Sequence, residues 1–267
     1  MKHSIILFLL VIAILGGCGS LQFTSQRASA PITPGVPSEE LQRAMVRIEG
    51  TQTMVGFLND NDYLYLSIVT TDRGVQRQML ARGFTVWFDR EGGNDERFGI
   101  KFPLGIQTGD FRRMREEWGR DRDDGVRERP MRDSLADRLP PFDTTEVEIL
   151  GPKEGAHERV KIIQLKQIAL KLTIVNGRLE YVLKVPLTDN GPDPYAIGTS
   201  PGTTIGVGLV TAEFVRPDMP AGGMQRGMGM GKRRERNMDE EGDTPVRQYQ
   251  QSEPLKVWAT VQLAGGK

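Results

Sequence analysis

The run IALKLTIVNGRLEYVLKVPL, from Ile168 to Leu187, holds Asn176-Gly177 between two stretches of alternating apolar and polar residues. Both central residues tolerate positive φ, so the pair asks for a two-residue type I′ turn, and the alternation asks for two antiparallel strands. A two-residue loop sets Val175 opposite Arg178, and counting outward Ile174 meets Leu179, Leu172 meets Tyr181, Leu170 meets Leu183 and Ile168 meets Val185. Every pair on that face is apolar. The other face carries Thr173 with Glu180, Lys171 with Val182 and Ala169 with Lys184, mostly polar, so one face packs on a core and the other looks toward solvent.

The rest of the chain follows the same grammar. Tyr63 to Thr70 presents Leu64, Leu66 and Ile68 to one face, Phe84 to Asp89 presents Phe84, Val86 and Phe88, and Phe98 to Phe102 presents aromatics around Ile100. Val75 to Arg82 between the first two suits a short helix. Thr204 to Val215 and Leu255 to Leu263 again alternate, with Gly206 and Gly208 marking a bulge or a close backbone approach. Short strands separated by Gly, Asn, Asp and Pro predict a mainly β domain over residues 43–267, an antiparallel two-sheet β-sandwich of jelly-roll type. Two inserts interrupt it. Residues 105–141 are dense in arginine and in carboxylates that balance it, with Trp118 as the large aromatic, and read as a solvated helix or polyampholyte loop. Residues 216–252 are rich in Gly, Met and Arg and read as a disordered loop. Met224, Met228 and Met230 within it offer soft thioether ligands for Cu(I), although drift in a low-complexity segment is the plainer account of them.

The N-terminus carries Lys2 and then an apolar run, Ile5 to Leu15, too short for a comfortable membrane span. It ends in Leu15-Gly16-Gly17-Cys18, which resembles the lipobox of bacterial lipoproteins; the resemblance implies a signal peptide over residues 1–17 and a diacylglycerol on Cys18. The residues after the cysteine lack the aspartate that holds enteric lipoproteins at the inner membrane, so it implies the outer membrane of a Gram-negative cell. Residues 18–42, rich in Ser, Thr, Pro and Gly, read as a flexible spacer. Cys18 is the single cysteine, so no disulfide forms within the chain. Lysine plus arginine and aspartate plus glutamate number 35 each, which leaves no bulk charge to select nucleic acid. Beyond His3 the one histidine is His157, which removes histidine-rich metal sites and most triad chemistry.

Asn61 to Val69 and on to Asp72, then Phe84 to Asp89, then Phe98-Gly99-Ile100, give an acidic turn, a Leu-Tyr strand closed by aspartate, and an aromatic strand ending in aspartate. Over residues 54–103 this resembles the family 9 carbohydrate-binding modules and the wider DOMON-like sandwich superfamily. The tryptophan often found before the acidic turn is replaced by Phe57 and Leu58. The resemblance implies a sandwich and a glycan ligand. The superfamily also contains haem domains that use methionine with histidine or lysine, but His157 lies in a polar turn and no cofactor is expected.

Alternation places Trp87 with Thr85 and Asp89, and Trp258 with Lys256, Thr260 and Gln262, on the less apolar faces of their strands. Flat aromatics beside hydrogen-bonding groups hold sugar rings, so Trp87, Trp258, Tyr63, Tyr65 and Asp89 are candidate ligand-binding residues; covering the far side of a sheet is the plainer role. Asp89, Asn94 and Asp95, and separately Asp60, Asn61 and Asp62, gather oxygen ligands at turns, but turns need such residues without a metal, and no metal is expected. No spacing marks a catalytic carboxylate pair, so the chain reads as a non-enzyme. Its expected role is a membrane-anchored envelope lipoprotein bearing a binding module for carbohydrate, and its alternative role is a structural or assembly factor that docks envelope proteins through its inserts.

Overall fold

The computed structural model describes residues 21–106, 144–151, 156–212 and 254–266. The lipobox, most of both inserts and the Gly-Met segment lie outside them. In chain order the elements are β1 (Leu21–Thr24), β2 (Gln26–Arg27), α1 (Glu39–Arg43), β3 (Met45–Arg47), β4 (Thr53–Asn59), β5 (Tyr63–Thr70), α2 (Arg73–Arg82), β6 (Phe84–Asp89), β7 (Phe98–Lys101), β8 (Glu146–Leu150), β9 (His157–Lys161), a 3-10 turn (Ile162–Gln164), β10 (Ala169–Val175), β11 (Arg178–Pro186), β12 (Thr204–Thr211) and β13 (Lys256–Gln262).

The hairpin forms in the expected register, Val175 opposite Arg178 through Leu170 opposite Leu183. Asn176 and Gly177 take φ of 51° and 73°, as a type I′ turn requires. β11 pairs onward with β5, bringing Tyr181, Leu183 and Val185 alongside Ile68, Leu66 and Leu64. The result is a sandwich of a seven-stranded sheet, β1-β13-β12-β6-β7-β8-β9, and a six-stranded sheet whose path is β10-β11-β5-β4-β2, with β3 pairing β4 from the side. The inner faces meet in one core, where Val55, Leu64, Leu66, Phe84, Val86, Ile100, Leu183, Val185, Ile205, Val207 and Val261 are all fully buried. Helix α2 lies between β5 and β6. Asp72 caps it by accepting from the amides of Gly74 and Val75, and the Gln76 amide nitrogen donates to the carbonyls of Thr70 and Gly177, tying the helix to the hairpin tip.

The expected two-sheet sandwich forms, and its sheets are mixed at the edges: β1 runs parallel to β13, and β2 parallel to β4. The chain passes from one sheet to the other at Ser25 without reversing, so both short strands inherit one direction. The junction is pinned by polar groups. Ser25 Oγ donates to Asn59 Oδ1, the Ala264 amide donates to the same oxygen at 2.8 Å, and Asn59 Nδ2 donates to the Ala264 carbonyl at 3.1 Å. Asn59 is fully buried, and these bonds offset the cost of its desolvation.

The spacer expected over residues 18–42 is corrected. From Leu21 on it is folded: two strands join the sheets, and residues 28–44 lie over the outer face of the six-stranded sheet. There Ala28, Ile32, Leu41 and Ala44 pack with Leu58, Tyr65 and Val182 in a second, smaller core. Leu41 sits on α1, whose N-cap Ser38 accepts from the Leu41 amide. Glu40 clasps the start of the segment, accepting from both the amide and the hydroxyl of Ser29. Those two bonds hold its carboxyl below the usual range. Composition alone reads as linker because the segment's apolar residues are sparse; they are buried by a sheet face made elsewhere in the chain.

Candidate functional site

The outward face of the seven-stranded sheet carries a lateral row in which tryptophan and glycine alternate from strand to strand. Gly208 on β12 lies between Trp258 on β13 and Trp87 on β6, and Trp87 in turn pairs with Gly99 on β7. Each indole lies over a glycine. A Cβ at Gly208 would meet Trp258 ring carbons at 2.8 Å, and one at Gly99 would meet the Trp87 ring at 2.6 Å, so the glycines are seats that the rings require. Both tryptophans are half-buried, with ring carbons close over the glycine backbone. Two strand spacings separate them, roughly 10 Å.

Polar groups flank this row. On one side Lys101 Nζ and Arg159 Nε approach Glu148 at 3.4 and 3.8 Å across β7, β8 and β9. Beyond the other side, Lys256 on β13 pairs at 3.7 Å with Glu96 of the loop after β6, which links that loop to a strand two places away. The arrangement offers π faces for stacking with donors and acceptors at the margins.

The remaining sequence candidates lie elsewhere. Tyr63 and Tyr65 stand on the outer face of the opposite sheet, so the structure does not bring them to the tryptophans. Tyr65 is fully buried beneath the N-terminal segment and donates to Asp60 Oδ2 at 2.6 Å. Burial and that carboxylate push its hydroxyl above the ordinary phenol range. Tyr63 is half-buried, with Lys184 Nζ 3.7 Å from its ring centroid. Asp89 is buried and shapes a loop: its oxygens accept from the amides of Glu91 at 3.0 Å and Asp95 at 3.2 Å, with Arg97 Nε at 3.8 Å. Asp60 does likewise for Asp62 and Tyr63. Among the described residues no group of three or more His, Cys, Asp or Glu converges to hold a metal ion. Cys18, Leu15, Gly16 and Gly17 lie outside the described residues.

A second feature was missed in the sequence. At the end of the sandwich away from α2, a cleft of about 1000 Å³ opens between the β6–β7 loop, the β8–β9 hairpin and the segment 188–199. Phe88, Phe98, Ile149 and Ile197 form its floor, with Arg90, Glu158, Asn190 and Tyr195 at its rim. Gly191, Pro192 and Pro194 announce a loop in the sequence, but nothing there says what the loop faces.

Fold and surface together define a mainly β sandwich with an aromatic row on one face and a cleft at one end. No protein-family model matches the chain, and no curated protein matches it. Two solved structures similar to it are of a family 9 carbohydrate-binding module from Caldicellulosiruptor kristjanssonii. The complex with glucose shares 10% identity over 72% of this chain and 78% of that one, at a TM-score of 0.33. The complex with cellotriose shares 9% identity over 72% and 76%, at a TM-score of 0.34.

Proposed function

We propose that this protein is a non-catalytic carbohydrate-binding module, anchored in the cell envelope through lipidated Cys18. The observation that carries the binding half is the row Trp258–Gly208–Trp87–Gly99. Two indoles seated on glycine backbone, partly exposed and roughly two strand spacings apart, suit stacking of sugar rings along an extended glycan about a disaccharide unit in length. Rings seated on backbone need little reordering on binding, which lowers the entropic cost.

Affinity electrophoresis of the mature protein through gels containing soluble β-glucans tests this. Trp87→Ala and Trp258→Ala are each expected to weaken retention about tenfold, the loss of one stacked ring worth roughly 1.4 kcal/mol. Trp87→Phe should recover part of it. Retention unchanged in both alanine variants, with unfolding temperatures preserved, would overturn the reading. The anchoring half rests on the lipobox-like Leu15-Gly16-Gly17-Cys18. Cys18→Ser should give a chain that takes up no labelled palmitate and leaves the membrane fraction, because each buried methylene of an acyl chain contributes about 0.8 kcal/mol to anchoring. An unlabelled wild-type protein would sink the lipoprotein assignment.

A further inference from the structure

The cleft at the end of the sandwich has walls organised from behind by buried carboxylates. Asp89 fixes the β6–β7 loop on one side. On the other, Asp193 Oδ2 accepts from the amides of Lys166 and Gln167 at 2.7 Å each, and the amides of Ile197, Gly198 and Thr199 donate to the carbonyls of Pro186 and Leu187. A cleft of this size with walls so braced has the dimensions and pre-formed shape of a small-molecule site.

Its chemistry is specific. The floor is apolar, with Phe88 and Phe98 stacked at 5.8 Å and 28°. Of the two arginines at the rim, Arg97 is already neutralised by Glu91 at 2.7 Å and Asp95 at 3.2 Å. Arg90 is exposed and makes no ion pair among the described residues; its side chain lies across Gly198, where a Cβ would sit 3.7 Å from Cδ and Nη1. The guanidinium therefore reaches from one wall toward the other. Also lining the cleft, the Tyr195 hydroxyl donates to Glu158 Oε2 at 2.8 Å, and burial together with that carboxylate pushes it up to about 12. Asn190 donates to Thr188 Oγ1 at 3.1 Å nearby.

We infer that this cleft binds an acidic sugar, a uronic-acid residue of a polysaccharide, distinct from the glycan held on the tryptophan row. The inference rests on the reading of the chain as a carbohydrate binder. Arg90 takes the carboxylate, the half-buried Tyr195 ring offers a surface to the C–H face of the sugar, and Glu158, oriented by the Tyr195 hydroxyl, takes hydroxyls together with Asn190. With Arg97 held by Glu91 and Asp95, Arg90 is the arginine left for a ligand carboxylate, while Glu158 and Asp189 in the same lining accept from hydroxyls and disfavour ligands that carry more than one negative charge.

Calorimetric titration of the mature protein with cellobiouronic acid and with cellobiose, which differ at one carboxylate, tests this directly. The acid is expected to bind about tenfold more tightly, Arg90→Gln should abolish the difference, and Tyr195→Phe should weaken the acid while leaving thermal stability intact. Trp87→Ala should leave the preference for the acid unchanged, so failure of the tryptophan site and failure of this one are separable. The proposal is overturned if the acid shows no preference, if Arg90→Gln retains it, or if benzoate binds as tightly as the uronate in an Arg90-dependent way.

Discussion

Tyr181 is fully buried in the main core, edge-on to Phe84 at 5.3 Å, and its hydroxyl has no hydrogen-bond partner among the described residues. Burial alone pushes that hydroxyl above the ordinary phenol range. An unsatisfied buried hydroxyl costs about 1–3 kcal/mol, part of it recovered when the oxygen is removed and the ring kept. Tyr181→Phe should therefore raise the unfolding temperature, by an amount corresponding to about 1 kcal/mol, and leave glycan binding untouched. A clear fall in stability would show that the hydroxyl is satisfied. Asp89 teaches the opposite lesson about polar residues. Its place after an aromatic strand suggests a ligand contact, yet its oxygens are taken by the amides of Glu91 and Asp95. A carboxylate at a turn looks the same in sequence whether it faces a ligand or its own loop.

Glycines on β7 and β12 make the tryptophan row possible. A side chain at either position would lift the neighbouring ring, because the seats leave 2.6 and 2.8 Å where a Cβ needs more than 3 Å. Gly99→Ala and Gly208→Ala should each cost about 1–3 kcal/mol through overpacking. In a Trp118→Phe background they should also shift tryptophan emission to the red, as the displaced ring becomes wetter. Unchanged emission and stability would mean the rings do not rest on those strands. Alternation in Phe84–Asp89 and Lys256–Gln262 was enough to place both tryptophans on the outer face. It could not show that they share a row, since that depends on β12 lying between β6 and β13, a pairing between segments more than forty residues apart on one side and over a hundred on the other.

The molecule as a whole is bounded differently from the way its composition suggests. A chain beginning at residue 43 would keep every strand from β3 on, but would expose Leu58, Tyr65 and Val182 and lose the parallel strands β1 and β2. Each side chain returned to water costs roughly 1.5–3 kcal/mol, a large share of a domain's net stability. That truncation should unfold or aggregate at temperatures where a chain beginning at residue 21 remains folded, measured by circular dichroism and sedimentation. Equal stability of the two would return residues 21–42 to the role of a spacer.

Local rules were sufficient wherever the determining contacts are local. The Asn176-Gly177 turn dictates the register of β10 and β11 because two residues of positive φ leave one way to close the ribbon. Period-two alternation assigns Leu64, Leu66, Ile68, Phe84, Val86 and Phe88 to the core because a strand has only two faces. The order of strands across each sheet, the burial of residues 28–44, the separation of Tyr65 from Trp87 and the cleft walled by residues 188–199 all required the tertiary structure. Each joins surfaces made by distant segments, and which surfaces meet is set by the packing of the whole chain, about which the residue pattern of any one segment carries no information.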